Sequence, residues 1–296
     1  MRQRVLVISN PAAGQRRTRR RTAALKALQA AGATVELRLT ERPGHATDLA
    51  RAAVMEGFDL IVAAGGDGTL NEVALGLVGT QQVMGILPLG TANVVAAELN
   101  LPRCPRRLAA LLLEGPTVEL CPLLVQVGGH ARVALQMVGA GFDAQAVHSV
   151  NLALKKKVGK LAYVWAMLRL MAHLPHTPIQ VTLDGRPHVA ASVIVANGRL
   201  YAGTFVLAPK ANLTSPSVEV VLFHTPGRLA VLGALVGLGL GQLHRWPGVS
   251  VRTAREVTLA SATRTPVQID GDAAGTLPLT VRPSASRLRL VSGPAR

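Results

Sequence analysis

The chain has 296 residues, of which 49% are hydrophobic and 3% aromatic, and its formal net charge is +16. This length allows two domains, and the scarcity of aromatics leaves Val, Leu and Ala to fill their cores. Two cysteines, Cys104 and Cys121, exclude a disulfide framework and favour a reducing, cytoplasmic compartment. The charge favours anionic partners, and basic runs without interleaved aromatics argue against a base-stacking nucleic-acid binder.

The first part of the chain alternates apolar strand patterns with helix patterns. Its N-terminal apolar run, Val5–Ile8, is too short for a signal-peptide core and predicts a strand. The alternation predicts a parallel α/β sheet. The expected strands are Val5–Ser9, Thr34–Leu39, Leu60–Ala64 and Met84–Pro88, and the expected helices are Arg19–Ala31, Asp48–Glu56, Leu70–Val78, Val94–Glu98 and Arg106–Glu114.

From Thr117 onward the pattern changes to short strands and turns, which predicts an antiparallel β-sandwich. Gly128-Gly129 and Asp184-Gly185 are suited to hairpin turns, and one helix is expected where apolar residues recur between 161 and 171. The expected strands are Val118–Val127, His130–Val138, Ile179–Leu183, His188–Ala196, Val218–Phe223, Val257–Ala260 and Val267–Asp270. We expect domains at 1–116 and 117–296, with the extreme C-terminus free to pack back on the first.

Two features suggest contact with a membrane surface. The basic runs 16–21 and 155–160 could each add about 1 kcal/mol of attraction per residue near an anionic leaflet, although a solvated surface is equally expected for either run. The apolar stretch 229–241 is shorter than the about 20 residues of a membrane span. Its glycines Gly233, Gly237 and Gly241 recur at every fourth position, which predicts a closely packed buried or interfacial helix.

The most informative segment is Leu60–Asn71, where a buried strand leads into a glycine-rich loop and then a helix. Glycines let backbone N–H groups approach a ligand, and a helix N-terminus favours an anion. Asp67 within this loop is explained if Mg²⁺ or water stands between its carboxylate and a phosphate. Loops at 10–14 and 90–93 follow two other expected strands, and ligands bind at the carboxyl ends of parallel strands. We therefore expect a nucleotide-phosphate site.

Segments Asn10–Gly14, Gly65–Glu72 and Leu87–Asn93 together resemble the diacylglycerol kinase/sphingosine kinase-like family of lipid kinases, in its bacterial soluble form. The resemblance continues through Gly139–Ala144, Leu154–Tyr163, Ala196–Gly198, Ala208–Ala211 and Ile269–Asp272. It spans nearly the whole chain in the family's order, although a lone Gly-Gly-Asp-Gly-Thr also occurs in NAD kinases and phosphofructokinases. It implies a NAD kinase/diacylglycerol kinase-like α/β domain with a parallel sheet, followed by a mainly antiparallel β-sandwich domain.

The resemblance also implies ATP with Mg²⁺ in a cleft between the domains, and a lipid hydroxyl as acceptor. The residues that match nucleotide-contacting positions are Asn10, Pro11, Ala12, Ala13, Gly14, Thr40, Gly65, Gly66, Asp67, Gly68, Thr69, Leu70, Asn71, Thr91 and Asp272, with Asp67 also toward the metal. Without the family match, Thr40 would be an ordinary turn residue. Thr91 or Asn93 could equally cap the helix at Val94.

Asp270 matches the family's catalytic base, which would accept the proton of the lipid hydroxyl. From the residue types alone, an ordinary Asp-Gly hairpin turn is supported about as well as a catalytic role. Two departures from the family pattern stand out. Ser215 occupies an Asp position, which predicts a weak or absent structural Mg²⁺ site, and Glu119 replaces an Asp.

The expected function is ATP-dependent phosphorylation of a lipid hydroxyl, of diacylglycerol or a related lipid, by a cytoplasmic enzyme associated peripherally with the membrane. A soluble-metabolite kinase of the NAD kinase type shares the Gly65–Thr69 loop but leaves the loops at 10–14 and 90–93 unexplained. A non-catalytic lipid- or nucleotide-sensing module is the third alternative, because of Ser215 and Glu119. The sequence leaves the acceptor lipid and a homodimer open, since the pocket of the second domain would decide specificity.

Overall fold

A computed structural model of the chain describes residues 2–11, 15–149 and 177–294. It contains two compact units, Met1–Cys121 with Ala285–Arg296, and Pro122–Ser284. The predicted helix between 161 and 171 and the basic run 155–160 lie outside the described residues. Within the described ranges, no helix has both the length and the apolarity needed to cross a membrane.

The first unit is built from alternating strands and helices. Its elements up to Cys121 are β1 (Arg4–Ser9), α1 (Gln15–Ala30), β2 (Thr34–Leu39), α2 (His45–Ala53), β3 (Leu60–Gly65), α3 (Asp67–Leu77), β4 (Val83–Pro88), α4 (Val94–Glu98), α5 (Pro105–Glu114) and β5 (Thr117–Leu120). A 3-10 turn at Val54–Glu56 follows α2.

The second unit consists mainly of short strands, and the chain then adds one more strand to the first. The remaining elements are β6 (Leu123–Val127), β7 (His130–Ala134), β8 (Met137–Ala140), α6 (Phe142–Ser149), β9 (Ile179–Leu183), β10 (Arg186–Ala190), β11 (Ser192–Ala196), β12 (Leu200–Tyr201), β13 (Phe205–Val206), β14 (Val218–Phe223), α7 (Arg228–Gly239), β15 (Val249–Ala254), β16 (Val257–Ser261), β17 (Pro266–Ile269), β18 (Asp272–Thr276), β19 (Leu279–Pro283) and β20 (Leu288–Val291). A 3-10 turn at Leu243–Arg245 follows α7.

The sheet of the first unit has the order β2-β1-β3-β4-β20-β5. All neighbouring pairs are parallel except β20 with β5. Residues Val5–Ser9 of β1 are all buried, as expected for a strand covered on both faces. Val5 and Val7 share a core with Leu28 of α1 and Leu112 of α5, while α2 and α3 pack together against β1 and β3. The predicted parallel α/β sheet is therefore confirmed.

The second unit contains two six-stranded antiparallel sheets, ordered β10-β9-β16-β19-β6-β7 and β15-β14-β11-β8-β17-β18. Val181 and Leu259 of one sheet share a core with Val195 and Val220 of the other, which is the packing of a β-sandwich. The predicted hairpins are present, with Gly128-Gly129 and Asp184-Gly185 at positive φ in their turns. The predicted sandwich is confirmed.

Three of the predicted strands were wrong, because each spans two strands of different sheets. The strand expected at 118–127 breaks at Pro122, which has no N–H for a ladder, and its first part, β5, lies in the sheet of the first unit. Those expected at 130–138 and 188–196 break at Leu135-Gln136 and at Ala191. The alternation continues through each corner, so the sequence pattern does not reveal the change of sheet. Strands β12, β13, β15, β18, β19 and β20 were missed.

Two boundaries near the expected site also differ from the prediction. The helix expected from Leu70 begins at Asp67, so Asp67–Thr69 form its first turn rather than a loop. The strand expected to include Asp270 ends at Ile269, because Asp270 adopts a left-handed conformation with φ 49°. Of the three regularly spaced glycines, Gly233 and Gly237 lie within α7 and face Trp246, whereas Gly241 lies beyond the helix.

Candidate active site

The loops singled out by the sequence meet at one edge of the parallel sheet. β2, β1, β3 and β4 are consecutive parallel neighbours, so their carboxyl ends lie side by side. Thr40 follows β2 and donates its backbone N–H to the Ser9 carbonyl oxygen at 3.0 Å, which ties the ends of β2 and β1 together. Asn10 and Pro11 follow β1 and are exposed. This edge is the usual ligand-binding position of such a sheet.

The loops after β3 and β4 pack backbone against backbone. The Gly65 carbonyl oxygen accepts the N–H groups of Leu89 at 2.8 Å and Gly90 at 3.1 Å. A Cβ at Gly90 would lie 2.5 Å from the Cα of Gly66, and a backbone atom cannot move aside as a side-chain tip can. Glycine is therefore required at position 90 by the approach of the two loops.

Asp67 holds the second loop to the first. Its carboxylate accepts the backbone N–H groups of Asn93 at 3.0 Å and Val94 at 2.9 Å, at the N-terminus of α4. A carboxylate there is favoured by the unpaired donors and the dipole of the helix. Asn93 occupies the N-cap position of α4, but its side chain pairs with the backbone of Gly90 instead. Asp67 thus supplies the cap that the sequence suggested for Thr91 or Asn93.

The N-terminus of α3 presents an anion-binding geometry at this edge. Gly66 is its N-cap, and Asp67, Gly68 and Thr69 form the first turn, whose N–H groups have no intrahelical acceptor. Leu70 is buried and continues the helix by donating to Gly66 at 3.0 Å. A phosphate group bound here would receive main-chain hydrogen bonds and the favourable end of the dipole.

Arg21 brings a positive charge to the same edge. Its Nη1 donates to the hydroxyl of Ser9, the last residue of β1, at 3.1 Å, and its buried Nε has no hydrogen-bond partner among the described residues. The sequence placed Arg21 in a basic run for which a membrane-facing and a solvated surface were equally expected, and the structure shows this side chain half-buried. Arg19 and Arg20 remain exposed.

In the second unit, Asp270 lies in the two-residue turn between β17 and β18, with Gly271 at φ 85°. Its Oδ2 accepts the backbone N–H of Leu135 at 2.7 Å, and its Oδ1 accepts those of Gln136 at 2.9 Å and Met137 at 2.8 Å. Three donated N–H groups stabilise a carboxylate in its ionised form. Asp270 therefore anchors the β7–β8 connection.

The same connection receives a second motif of the sequence. Asn197 is almost fully buried, and its side-chain amide donates to the Leu135 carbonyl oxygen at 2.8 Å. Its backbone N–H donates to Gln136, and a Cβ at Gly198 would collide with the Gln136 side chain at 2.4 Å. Segments 196–198 and 269–272, which the sequence singled out separately, thus meet on residues 135–137.

An apolar cavity of about 300 Å³ lies in the second unit. Aliphatic side chains of α7, among them Val231 and Leu235, line one side of it, together with Ile194 of β11. Its volume is at the lower end of the range for ligand cavities, about 300–1,000 Å³. Polar residues also line it, among them Asp143, Tyr201 and Arg264.

Asp143 connects this cavity to the turn that carries Asp270. Its carboxyl group accepts hydrogen bonds from the Tyr201 hydroxyl and, at 2.7 Å, from Nε2 of Gln268, whose Oε1 accepts the N–H of Gly271 at 2.8 Å. Burial raises the pKa of the Asp143 carboxyl above its ordinary value, and the two hydrogen bonds only partly oppose this. One hydrogen-bond chain therefore runs from the cavity wall to the residue next to Asp270.

Residues 4–121 match the family described as "Diacylglycerol kinase catalytic domain", and residues 136–292 match "YegS C-terminal NAD kinase beta sandwich-like domain". A protein of Pseudomonas putida named "Probable lipid kinase YegS-like" is 30% identical over 90% of this chain and 88% of its own. The chain belongs to the diacylglycerol kinase-like lipid kinase family. It is therefore a kinase, and the family predicted from its motifs is confirmed.

Other relatives agree with this assignment. A "Diacylglycerol kinase" of Staphylococcus carnosus is 26% identical over 94% of this chain and 91% of its own. Among solved structures, one from Bacillus anthracis described as a diacylglycerol kinase has a TM-score of 0.70 at 19% identity, covering 99% of this chain and 98% of that chain. Another from the same organism reaches 0.80 at 20% identity, covering 99% and 96%. The predicted fold class is confirmed by this likeness.

The remaining predicted site residues are half-buried, exposed or outside the described residues. Asn71 is half-buried on α3, Thr91 is exposed in the β4–α4 loop, and Asp272 is exposed at the start of β18. Ala12, Ala13 and Gly14 lie outside the described residues.

The two departures from the family pattern also have visible surroundings. The Ser215 hydroxyl lies 2.9 Å from that of Ser217, and Glu119 on β5 lies 3.9 Å from Nε of Arg289. In the described part of the chain, no three His, Cys, Asp or Glu side chains cluster as a metal site. The effect of Ser215 on metal binding stays a prediction.

Three residues that build the site were not predicted from the sequence. Glu72 ends the glycine-rich motif, and its carboxylate accepts the N–H of Ala46 at 3.2 Å at the start of α2. Asp67 and Glu72 therefore each hold the N-terminus of a neighbouring helix. Arg21 and Gln268 were also missed, because nothing in their sequence neighbourhood distinguishes an Arg within a basic run or a Gln within a strand.

Proposed function

We propose that this kinase transfers the γ-phosphoryl group of ATP to the hydroxyl group of a lipid, diacylglycerol or a close relative of it. The first unit would bind the nucleotide phosphates, and the second would bind the lipid and accept the proton. The observation that carries the proposal is the apolar cavity whose polar end is joined by Asp143 and Gln268 to the turn containing Asp270.

The carboxyl edge of the parallel sheet supports the nucleotide part. The main-chain N–H groups at the start of α3 suit phosphate oxygens, and Arg21 adds a cation at the end of β1. Because Gly66 and Gly90 approach closely, a nucleotide could lie against bare backbone on both loops. Positioning and charge stabilisation supply most of the catalysis in phosphoryl transfer.

Asp67 fits the Mg²⁺ that the family implies. Its carboxylate oxygens are hard ligands of the kind that Mg²⁺ prefers, and the two N–H groups that they accept hold the carboxylate in place at the sheet edge. Mg²⁺ is commonly held by one or two carboxylates together with substrate phosphates, so a single Asp is adequate. When bound, the ion would neutralise charge on the phosphates. Asp67 would also keep the second loop in place with or without it.

The cavity favours a lipid over a soluble metabolite. The aliphatic side chains of α7 along its wall suit an acyl chain, and the polar groups at Asp143 and Tyr201 suit a hydroxyl-bearing head. Asp270 is held as an anion by three N–H donors, so it is ready to take the proton of an incoming hydroxyl group. We expect it to take the proton as the hydroxyl attacks the phosphorus.

The experiment offers the purified chain γ-labelled ATP and Mg²⁺ with three acceptors: diacylglycerol in mixed micelles, total membrane lipid, and NAD. Label in a lipid product and none in NADP supports the proposal, and the products from total lipid identify the acceptor. Label in NADP alone would establish the soluble-metabolite alternative. Tight ATP binding without turnover of any acceptor would establish the sensing module. Either of these results refutes the lipid kinase activity.

We also propose a peripheral association with anionic membranes, supported by the net charge of +16 and by the exposed Arg19 and Arg20 of α1. Electrostatic attraction of this kind is screened by salt. Binding to anionic vesicles that survives unchanged in high salt would contradict this part of the proposal.

A further inference from the structure

Helix α7 is apolar on all sides but is hardly buried. Of its residues Arg228–Gly239, only Gly237 is buried. A helix of this composition is normally covered by protein or by lipid. One face accounts for part of the discrepancy, since Val231, Leu235 and Leu238 line the cavity.

The opposite face of α7 has no such explanation. Leu229 is 85% exposed, Leu232 and Val236 are each 47% exposed, and Leu240, one position past the helix, is 65% exposed. Their spacing of three, four and four residues places them on one stripe of the helix surface. Phe205 of β13, which packs beside α7, is also 42% exposed. We call Leu229, Leu232, Val236 and Leu240 the outer stripe.

The charge of the chain segment that carries the outer stripe favours an anionic partner. From residue 220 to residue 255 the chain contains no Asp or Glu, but it has four arginines, all of them exposed. Arg228 begins α7, and Arg245 lies in the 3-10 turn that packs against it. An apolar stripe flanked by cations is the pattern of a helix lying in the interface of an anionic bilayer. A second copy of the chain would instead bring like charges together.

We infer that α7 is a membrane-contact element whose outer stripe enters the interface of an anionic phospholipid bilayer. Its inner face lines the cavity, so only the thickness of α7 would separate the cavity from the bilayer. A lipid that leaves the bilayer beside α7 would then have a short distance to travel to the cavity. This inference rests on the proposed function for its purpose, since the lipid acceptor resides in the membrane. It assigns the apolar contact to α7, which is separate from the basic runs identified in the sequence.

The test measures partitioning of the full chain onto sedimented vesicles, either phosphatidylglycerol mixed with phosphatidylcholine or phosphatidylcholine alone. We expect Leu229→Ser with Leu240→Ser to lower the partition coefficient on mixed vesicles by about tenfold or more. Met55→Ser is the matched control, because Met55 is 89% exposed on the first unit, and we expect no more than about a twofold change. Arg228→Gln with Arg245→Gln should lower binding roughly 30-fold on anionic vesicles only.

Three results would overturn the inference: wild-type partitioning of the double Leu variant, an equal loss in Met55→Ser, or a dimer that becomes monomeric in the Leu variant while vesicle binding persists. Thermal unfolding checks that each variant is folded. The proposed function is tested separately, with wild-type protein, ATP and monomeric short-chain diacylglycerol in the absence of vesicles. If no lipid is phosphorylated there while vesicle binding depends on the outer stripe, the proposed function fails and the membrane contact stands.

Discussion

Replacing Asp270 by Asn tests two roles of this residue: its proposed role as the general base and its hydrogen bonds to the β7–β8 connection. The structure allows the effects on activity and on stability to be separated. Asn retains one oxygen, which can keep the N–H groups of Gln136 and Met137, but its amide nitrogen then faces the N–H of Leu135, which Oδ2 accepts at 2.7 Å. Leaving such a donor unpaired costs about 1–3 kcal/mol. The turn itself is not disturbed, because Asn-Gly suits it as well as Asp-Gly.

We therefore expect Asp270→Asn to lower the free energy of unfolding by about 1–3 kcal/mol, which for a unit of this size lowers the Tm by about 2–4 °C per kcal/mol. Loss of a general base should in addition reduce kcat by about 10²–10⁴-fold, measured with diacylglycerol in mixed micelles well below the Tm of the variant. The Kd for ATP, measured by titration calorimetry, should not change, because the proposed phosphate contacts lie in the first unit.

The chain contains a matched control for this substitution. Asp184 also precedes a glycine in a two-residue turn, has φ 47°, and accepts backbone N–H groups, from Arg255 at 2.9 Å and Glu256 at 2.8 Å. Both of these bonds reach Oδ1, and only a longer one, from the N–H of Arg255 at 3.2 Å, reaches Oδ2. Asp184→Asn can therefore keep the two shorter bonds, and it should leave kcat unchanged with little effect on stability. A fully active Asp270→Asn would refute the assignment of the base. Activity that returns to the wild-type value once the unfolded fraction is removed would leave Asp270 as an anchor alone.

Further predictions concern the first unit and the cavity. Gly90→Ala should cost about 1–3 kcal/mol and weaken ATP binding, because its Cβ would lie 2.5 Å from the Gly66 Cα. Gly239→Ala, in a helix and with no atom within 4 Å, should stabilise the protein by up to about 1 kcal/mol and leave ATP binding unchanged in the same assays. Asp67→Ala should raise the Kd for ATP and lower the Tm even without Mg²⁺, since α4 loses its cap; a loss confined to Mg²⁺-containing buffer would contradict the capping role. The raised pKa of Asp143 means that the folded protein binds the proton of this carboxyl group more tightly than the unfolded chain does. The free energy of unfolding of the wild type should therefore fall as pH rises from about 4 through the raised pKa. In urea unfolding, Asp143→Asn should flatten that decline.

The sequence was most informative where function depends on local backbone chemistry. A buried strand followed by Gly65-Gly66-Asp67-Gly68 specifies a strand, a close approach and a helix start almost regardless of its surroundings. The predicted helix nevertheless began three residues late, because the glycines that permit close approach also resemble a loop. The hairpin turns at Gly128-Gly129 and Asp184-Gly185 were predicted correctly for the same local reason.

Partners distant in sequence were not predictable. The sequence left open whether Mg²⁺ or water lies between Asp67 and a phosphate. The structure adds that Asp67 accepts an N–H group 26 residues away and caps a helix there. Asp270 is similarly bonded to residues more than 130 positions earlier. No periodicity indicates which N–H group a carboxylate will meet after folding, because that depends on how the loops are brought together.

What the amino-acid sequence determined by itself is the alternation of elements, the glycine-rich edge of the sheet and the family of the chain, since these follow from residue type and local spacing. The tertiary structure alone decided that segments 118–127, 130–138 and 188–196 turn corners between sheets, that Asp143 and Gln268 link the cavity to the Asp270 turn, and that α7 keeps an apolar stripe exposed. Burial and hydrogen bonding between remote residues depend on packing, and packing exists only after the whole chain has folded.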